Sequence, residues 1–331
     1  MTDGGLERHA LRVAVLGATG TVGRATVRAL RERGHSAVPF VRHGTPGGEV
    51  DPHSITCDVT DPSSLRAAFG LDGEASIDRF DAVVSALASR SGAPSDAWAI
   101  DHRAHSAALA AASEAGVRHF VLVSAICVQR PRLAFQHAKL AFEAELIGSG
   151  LTYSIVRPTA LMKSLSGQLD RVRSGKPYLL FGDGRLTATK PISDDDLGAF
   201  VADCLTKPDR RNRILPIGGP GPALTPQAMG RMLHGMMGRP PRFRRVPPGV
   251  FAVAARVLGI GGVIVPRLAG AAEFARIAHY YATESMLVLD PATGVYDADA
   301  TPETGSTTLR DHYAALLSGD AATERGKHAL F

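Results

Sequence analysis

The chain is poor in the residues that mark secreted scaffolds, metal centres and membrane spans. Its three cysteines, Cys57, Cys127 and Cys204, stand far apart, with neither metal-ligand nor disulfide spacing. No protein-bound metal, no intrinsic iron–sulfur site and no disulfide framework is therefore expected, and a reducing, cytoplasmic setting is. Residues 1–10 are polar and charged without an apolar stretch, which predicts no secretion signal. No clean apolar run reaches the roughly 18 residues that a membrane-spanning helix needs. Low-complexity tracts are absent, and the only repetition is an alternation of strand-like and helix-like segments.

What is present begins at Val13, where the chain reads VAVLGATGTVG and an apolar run breaks into three glycines spaced three apart. Residues 13–16 are too few for a helix and suit a buried parallel strand. Gly17 allows a tight turn, Gly20 admits a pyrophosphate to the backbone, and Gly23 lets the helix expected over 21–33 pack close to the strand. The N–H groups at that helix start favour an anion. An ordinary glycine-rich strand–helix turn is the alternative. The next apolar run, 36–41, is followed by Arg42 and His43, with no acid until Glu49. A dinucleotide fold that binds NAD carries an acid here for the ribose 2′-OH. Its absence beside a guanidinium points to the 2′-phosphate of NADPH; a solvated strand-end arginine is the other reading of Arg42.

Strand and helix continue to alternate. Strands are expected at 54–57, 81–87, 120–123 and 153–156, and helices from Asp61 and Pro62 to 69, over 104–115 and over 133–147. Beyond Pro158 the texture changes. Gly182-Asp183-Gly184 reads as a hairpin turn after a strand at 178–181. Ser193 to Asp196 forms a capping box for a helix to 205, a strand follows at 214–217, and Thr225 caps a helix to 237. The pattern predicts an α/β fold, a Rossmann-type doubly wound parallel sheet with a smaller C-terminal substrate lobe. The expected division is a nucleotide-binding domain over 1–160, a mixed lobe with returning sheet elements over 161–318, and a flexible tail over 319–331. The length of 331 residues, 45% hydrophobic and 21% charged, suits such a soluble pair.

The net charge of +5 is unevenly placed. Arg239, Arg242, Arg244 and Arg245 crowd around Pro240 and Pro241, with Phe243 as the one interleaved aromatic and no nucleic-acid motif nearby. No nucleic-acid partner is predicted. The cluster suits an anionic substrate, a membrane surface or a solvated loop. The apolar stretch 250–266 that follows is broken by Arg256, Gly259, Gly261 and Gly262, too broken for a spanning helix. It fits a lobe that covers a large flat apolar substrate or rests on an anionic membrane, and equally an internal helix.

In the middle of the chain, Ser124 follows an apolar strand, and Phe135 and Lys139 stand four apart on the next predicted helix. This resembles the short-chain dehydrogenase/reductase superfamily, whose members place a serine or threonine after the fifth strand and Tyr-x-x-x-Lys on the helix. Phe135 occupies the tyrosine position, which removes the usual proton donor for carbonyl reduction. Reduction of a vinyl group conjugated with a macrocycle spreads charge over the macrocycle and sends the proton to carbon, so a phenol at that position is not obligatory. Longer stretches narrow the resemblance. They are Phe120-Val-Leu-Val-Ser-Ala-Ile-Cys-Val-Gln129, 135–146, Tyr153-Ser-Ile-Val-Arg-Pro-Thr-Ala160, Lys163-Ser-Leu-Ser-Gly-Gln168, Phe181-Gly-Asp-Gly184, Lys190-Pro-Ile-Ser193, Ile217-Gly-Gly-Pro-Gly221 and Tyr280-Tyr-Ala-Thr-Glu-Ser-Met-Leu-Val-Leu-Asp290. From about Leu11 to Tyr313 the chain is similar to the 3,8-divinyl chlorophyllide 8-vinyl reductases, an atypical, NmrA-like branch of that superfamily.

The resemblance implies NADPH as cofactor and a chlorophyllide-type tetrapyrrole as substrate, its 8-vinyl group reduced to ethyl in chlorophyll or bacteriochlorophyll synthesis. It implies a location in the cytoplasm or peripheral to a photosynthetic membrane. Gly17, Thr19, Gly20, Thr21, Val22 and Gly23 would hold the pyrophosphate, and Arg42 the 2′-phosphate with Arg24 as helper. Asp58 and Val59 would meet the adenine, and Ser85, Ala86 and Leu87 the adenosine ribose. Ser124 and Lys139 would face the nicotinamide ribose, with Pro158 and Thr159 at the carboxamide. Asp58 reads equally as a local cap. Lys163 is the first candidate proton donor, and Tyr280 and Tyr281 come next, with surface or core roles as the alternatives. His137 could reach a macrocycle magnesium or be simply solvated. Reductases of the isoflavone or quinone type, a non-catalytic NADP sensor of the NmrA-like kind and an assembly subunit that keeps NADPH bound share the glycine turn.

Overall fold

Alternation along the first strand decides the architecture. The computed structural model describes residues 10–43, 51–73, 79–262 and 266–319. The expectations for residues 1–9, for the spacing to Glu49 and for the tail beyond 319 lie outside the described residues. β1 (Arg12–Leu16) sends Val13 and Val15 to one side and Ala14 and Leu16 to the other, all fully buried. A strand buried on both sides needs helices on both.

Those helices follow in chain order. α1 (Thr21–Glu32) leads to β2 (Ser36–Val41) and the two-residue β3 (Ile55–Thr56), and α2 (Pro62–Ala68), capped by Asp61, leads to β4 (Ala82–Ser85). α3 (Pro94–Ala97) runs through a π-helical stretch, Trp98–Ala104, into α4 (His105–Glu114) and then β5 (His119–Val123). α5 (Ala134–Gly148) precedes β6 (Thr152–Pro158). The short α6 (Leu169–Arg173) and β7 (Tyr178–Phe181) leave the sheet; α7 (Asp194–Asp203) and β8 (Arg213–Ile217) return to it.

The seven-stranded sheet is parallel with order β3-β2-β1-β4-β5-β6-β8. Val27 and Leu30 of α1 and Leu197 and Val201 of α7 cover one face. Leu65 of α2, Leu109 of α4 and Phe142 and Leu146 of α5 cover the other. Truncating such a fully buried leucine to alanine costs about 2–5 kcal/mol. The chain reverses its winding direction between β1 and β4, and a parallel sheet leaves its ligand crevice at the carboxyl ends of the strands flanking that reversal.

Outside the sheet, Met162, Leu169, Tyr178, Leu233 and Tyr313 form a second core, built with α8 (Pro226–Met236) and α11 (Leu309–Ser318). Here the structure corrects the hairpin expectation. Gly184 N does donate to Phe181 O at 3.2 Å, closing the turn. β7, however, pairs in parallel with β9 (Phe243–Val246), and no strand returns beside it from that turn. The apolar stretch after Pro248 forms α9 (Gly249–Gly262), which packs on α10 (Pro266–Thr283). β10 (Val288–Leu289) and β11 (Tyr296–Asp297) make a short antiparallel pair. The helix expected at 104 starts ten residues earlier, at Pro94, a proline at the first helical position.

Two buried histidines join neighbouring elements, one a helix to a strand and the other two strands. His105 Nδ1 donates to Ile100 O at 2.8 Å, and its Nε2 accepts from Ser85 Oγ at 2.9 Å. His119 Nε2 lies 3.0 Å from Ser154 Oγ, which donates onward to Arg210 O. Burial, with Lys139 near the first and Arg211 near the second, lowers both pKa values from 6.5 to about 4. The unfolded chain therefore binds more protons than the folded one between pH 6.5 and 4. Stability is complete above that window and falls as the pH drops through it, by up to about 3 kcal/mol per histidine. Urea unfolding at pH 7 and pH 4.5 is expected to show this loss, and His105→Asn with His119→Asn to flatten it. An unchanged slope in the double variant would contradict the assignment.

Candidate active site

The site is built from the turn that ends β1. Gly17 sits at φ +74°, and a Cβ there would lie 2.8 Å from the backbone carbonyl of Ala86, just past β4. Gly23 is more restrictive, because a Cβ would lie 2.1 Å from Gly17 O. Gly20 is the N-cap of α1 with no side-chain cap, and the first turn carries no acid. The first N–H groups of a 12-residue helix are thus open to a ligand, and its dipole favours an anion there.

A cavity of about 620 Å³ opens at this point, over the carboxyl ends of β1, β4 and β5. Gly17, Thr19, Gly20, Thr21, Val22 and Gly23 form one wall. Arg42 and Val59 bound the end nearest β2, with Ala86 and Leu87 between the two ends. Ser124, Lys139 and Pro158 bound the other end, where Phe135, Ile277 and Tyr281 add an apolar surface. An uncapped helix end, a cation at each extremity and an apolar slot fit a dinucleotide with a flat apolar substrate beside it.

Three residues expected at the adenosine ribose, the carboxamide and the adenine, Ser85, Thr159 and Asp58, do not line this cavity. Ser85 is fully buried with its hydroxyl on His105. Thr159 is buried, and its Oγ1 donates to Lys190 O, while its neighbour Pro158 lines the cavity. The Asp58 carboxylate accepts from Thr60 N at 2.9 Å and Thr60 Oγ1 at 2.7 Å. These bonds, with the Arg42 charge nearby, hold its pKa below the ordinary carboxylate value. Its neighbours Cys57, Val59 and Thr60 face the cavity instead. Arg24 donates to Thr19 O at 2.6 Å and braces the turn from outside. His137 is exposed on α5 and away from the cavity lining.

Lys139 is not a lone cation. Its Nζ lies 3.0 Å from Asp101 Oδ1, and both residues are almost fully buried. Asp101 belongs to the π-helical stretch, a distortion that concentrates at functional sites. Ser89 N donates to Oδ1 at 3.3 Å, while Oδ2 is buried without a hydrogen-bond partner. Asp101 is not legible as a site residue in the sequence, where the alanine-rich segment points to a helix beginning only at Ala104. Pro94 followed by Ser95 and Asp96 is the start signal that would have exposed it. Arg90 and Ser89 also line the cavity and were not anticipated.

The candidate proton donors separate by position. Lys163 donates to Thr21 Oγ1 and sits beside Asp194, so its ammonium lies at the start of α1. Tyr280 OH is 2.8 Å from Cys127 O and 3.0 Å from Arg130 O, a tether between α10 and the segment before α5. Tyr281 lines the cavity with Phe135, and its hydroxyl lies 3.9 Å from Cys127 Sγ. Desolvation raises its phenol well above the ordinary tyrosine value, so it stays protonated across the physiological range.

Removing one member of the Asp101–Lys139 pair strands a buried charge. Asp101→Ala is expected to lower stability by roughly 3–5 kcal/mol in urea unfolding, and Asp101→Leu with Lys139→Met to recover most of that loss. An Asp101→Ala protein as stable as the wild type would contradict the pairing.

Comparison with known proteins agrees with this geometry. Residues 17–208 match a family model described as NAD(P)H-binding. The chain is 46% identical over 336 residues to the chloroplastic divinyl chlorophyllide a 8-vinyl-reductase of Oryza sativa subsp. indica, covering 96% of this chain and 82% of that one. It is 44% identical over 340 residues to the protein of that name in Arabidopsis thaliana, covering 96% and 79%. Among solved structures, an NADPH-dependent quinone oxidoreductase from Escherichia coli superposes with a TM-score of 0.65 at 17% identity, covering 92% of this chain and 99% of that one. That likeness concerns the fold alone. The identity and coverage of the plant relatives make this chain a member of the divinyl chlorophyllide a 8-vinyl-reductase family, built around an NAD(P)H-binding domain.

Proposed function

We propose that the protein uses NADPH to reduce the 8-vinyl group of a divinyl chlorophyllide or protochlorophyllide to ethyl, a step in forming chlorophyll or bacteriochlorophyll. The observation that carries this reading is the single cavity that joins the uncapped start of α1 to an apolar end lined by Phe135, Ile277 and Tyr281. When bound there, NADPH would supply the hydride.

The protein's own residues divide the remaining work. The backbone of 17–23 and Lys163 neutralise the pyrophosphate, which moves Lys163 from proton donor to phosphate contact. Arg42 takes the 2′-phosphate, a charge-assisted contact worth roughly 1.5–3 kcal/mol, or about one to two decades of affinity. Ser124 and Lys139 face the nicotinamide ribose. Ser124 Oγ donates to the buried Glu143 at 2.5 Å, and Arg157 pairs with the same carboxylate, so the hydroxyl is fixed in direction. Asp101 fixes Lys139 in the same way. Phe135 gives the macrocycle a flat apolar wall. Tyr281, entering from α10 rather than from the α5 position that Phe135 fills, donates the proton to the vinyl carbon that does not receive the hydride. The two hydrogens added across the vinyl double bond then come from cofactor and phenol, with Tyr281 recharged from solvent.

Incubating the protein with divinyl chlorophyllide and NADPH or NADH, and following the Soret band, tests this. Turnover is expected with NADPH and only weakly with NADH. Arg42→Ala should raise the NADPH KM ten- to a hundredfold, Tyr281→Phe should lower kcat with little change in NADPH affinity, and Lys163→Ala should act mainly on NADPH affinity. Equal use of NADH by the wild type, or full kcat in Tyr281→Phe, would overturn these roles.

We also propose a peripheral contact with an anionic membrane. No helix among the described residues is long and apolar enough to cross one. α9 nevertheless exposes Val250, Val253, Val257 and Ile260, each between 53% and 69% exposed and all on one helical face. No Asp or Glu occurs between Asp209 and Glu273. Arg242, Arg244 and Arg245 are exposed just ahead of this helix. Arg239 is set apart, since its guanidinium donates to Val172 O and Arg173 O and secures the end of α6. An apolar stripe preceded in the chain by exposed arginines that form no ion pair among the described residues suits the headgroup region. The protein is expected to float with anionic liposomes at low salt, less at high salt, and not at all when Val253 and Val257 become Asp. Failure to float at low salt would contradict the contact.

A further inference from the structure

A second cavity, of about 430 Å³, lies on the neighbouring face of α10. It is separate from the first. Between them Ile126, Cys127, Leu133, Ile277 and Tyr280 form a buried core, closed by the Tyr280 hydroxyl on Cys127 O and Arg130 O. Arg132 just ahead of α5, Arg276 and His279 on α10, and Ala255 and Arg256 on α9 line the second cavity. Three guanidiniums and an imidazole thus converge from segments far apart in sequence, and the lining holds no carboxylate. A concave surface lined by one sign of charge draws an anion.

Two of the guanidiniums are held in place. Arg132 Nη1 is 2.9 Å from Oε1 of Glu284, and Arg276 Nη1 is 2.9 Å from Oε2 of Glu273; both glutamates are buried. Each carboxylate engages its arginine through one nitrogen, and a guanidinium has five N–H donors, so donors remain for a ligand. Arg276 reaches across to α9, where its Nη2 would lie 3.3 Å from a Cβ at Gly259. Arg256 is exposed, with no ion pair among the described residues. It stands one helical turn from Val253 and one from Ile260, and so borders the exposed apolar stripe of α9. The cationic cavity and the apolar stripe are neighbours on one helix, with Arg256 between them.

We propose that this cavity binds the phosphate of a membrane lipid headgroup, with the acyl chains leaving along Val253, Val257 and Ile260. The proposal rests on the membrane-contact reading and turns a diffuse attraction into a site of defined stoichiometry. A guanidinium fork matches phosphate oxygens in geometry and charge. A small soluble anion would engage the guanidiniums and leave the stripe in water. A bare acyl chain would cover the stripe and leave the cavity's charge unopposed. A phospholipid satisfies both at once. A helix lying in the headgroup region with its apolar face inward brings the cavity mouth to the depth of the phosphates. Arg256 is the anchor, its stem against the apolar stripe and its charged head at the cavity. Arg132 and Arg276, preset by their glutamates, complete the phosphate contact.

The test is calorimetric titration of the full chain, its cofactor cavity filled with NADP⁺, with dihexanoyl phosphatidylglycerol below its micelle concentration. Saturable binding of one lipid per protein is expected. Arg256→Ala should weaken it about tenfold or more, with vinyl-reductase turnover and NADPH KM as in the wild type, and Arg256→Lys should recover part of the loss. Val253→Asp with Val257→Asp should weaken it as well, by removing the path of the chains. Inorganic phosphate should compete for the site but bind more weakly than the lipid. No saturable lipid binding, or equal affinity in wild type and Arg256→Ala, would overturn the site. Phosphate bound as tightly as the lipid would overturn the lipid as its ligand. Flotation with anionic liposomes separates this claim from the one it rests on. Flotation with unchanged monomer affinity in Arg256→Ala leaves the membrane contact standing and the site overturned. Arginine-dependent monomer binding without flotation leaves the site standing and the contact overturned.

Discussion

The absence of a side chain at Gly23 is the constraint on which the site depends. With the Cβ position only 2.1 Å from Gly17 O, no other residue lets α1 start so close to the end of β1. That closeness places the open N–H groups of α1 at the reversal point of the sheet and leaves Gly17 against the backbone of Ala86. The cations follow from the same placement. Lys163 comes from beyond β6 to the start of α1, and Arg42 comes from the end of β2. A cavity wall made of backbone N–H groups is selective for charge and indifferent to what lies beyond the phosphates. The apolar end therefore carries the specificity.

That end differs from the arrangement its superfamily resemblance implies in one consistent way. The α5 position expected to hold a phenol holds Phe135, and a phenol reaches the cavity from α10 as Tyr281. Lys139 keeps its place but is neutralised by Asp101 from the π-helical stretch. A ketone reduction needs an O–H donor aimed at one oxygen, whereas a proton delivered to carbon allows a donor on a different element and a wider slot. α10 then has two uses. One face closes the cofactor cavity, and the next, with Arg276 and His279, closes the arginine-lined one.

How much of this was legible in the sequence depended on whether the signal was local. The apolar runs at 13–16, 36–41 and 120–123, the glycine spacing and the Ser193 and Thr225 caps each rest on a few adjacent residues, and the strands and helices stand where those residues indicate. The pairing of β7 with β9 was not legible, because a Gly-Asp-Gly turn reads the same whether the strand that pairs beside it follows at once or some 60 residues later. Helix α3 and its π-helical continuation escaped because the alanine-rich segment gave no periodic contrast and drew the reading toward Ala104. Ser85, Asp58 and Thr159 stand at the expected strand ends, but each side chain finds a protein partner, His105, Thr60 and the Lys190 carbonyl, which a one-dimensional pattern cannot register. The second cavity needed three segments far apart in sequence.

The account makes one cavity serve both hydride and proton delivery, and isotope placement tests that most directly. With NADPH deuterated at the transferring position of its nicotinamide, in ordinary water, the 8-ethyl group of the product is predicted to carry one deuterium from the cofactor. With unlabelled NADPH in deuterium oxide it is predicted to carry one from solvent, by way of Tyr281. An 8-ethyl product with no cofactor-derived deuterium in the first experiment would contradict direct delivery within this cavity.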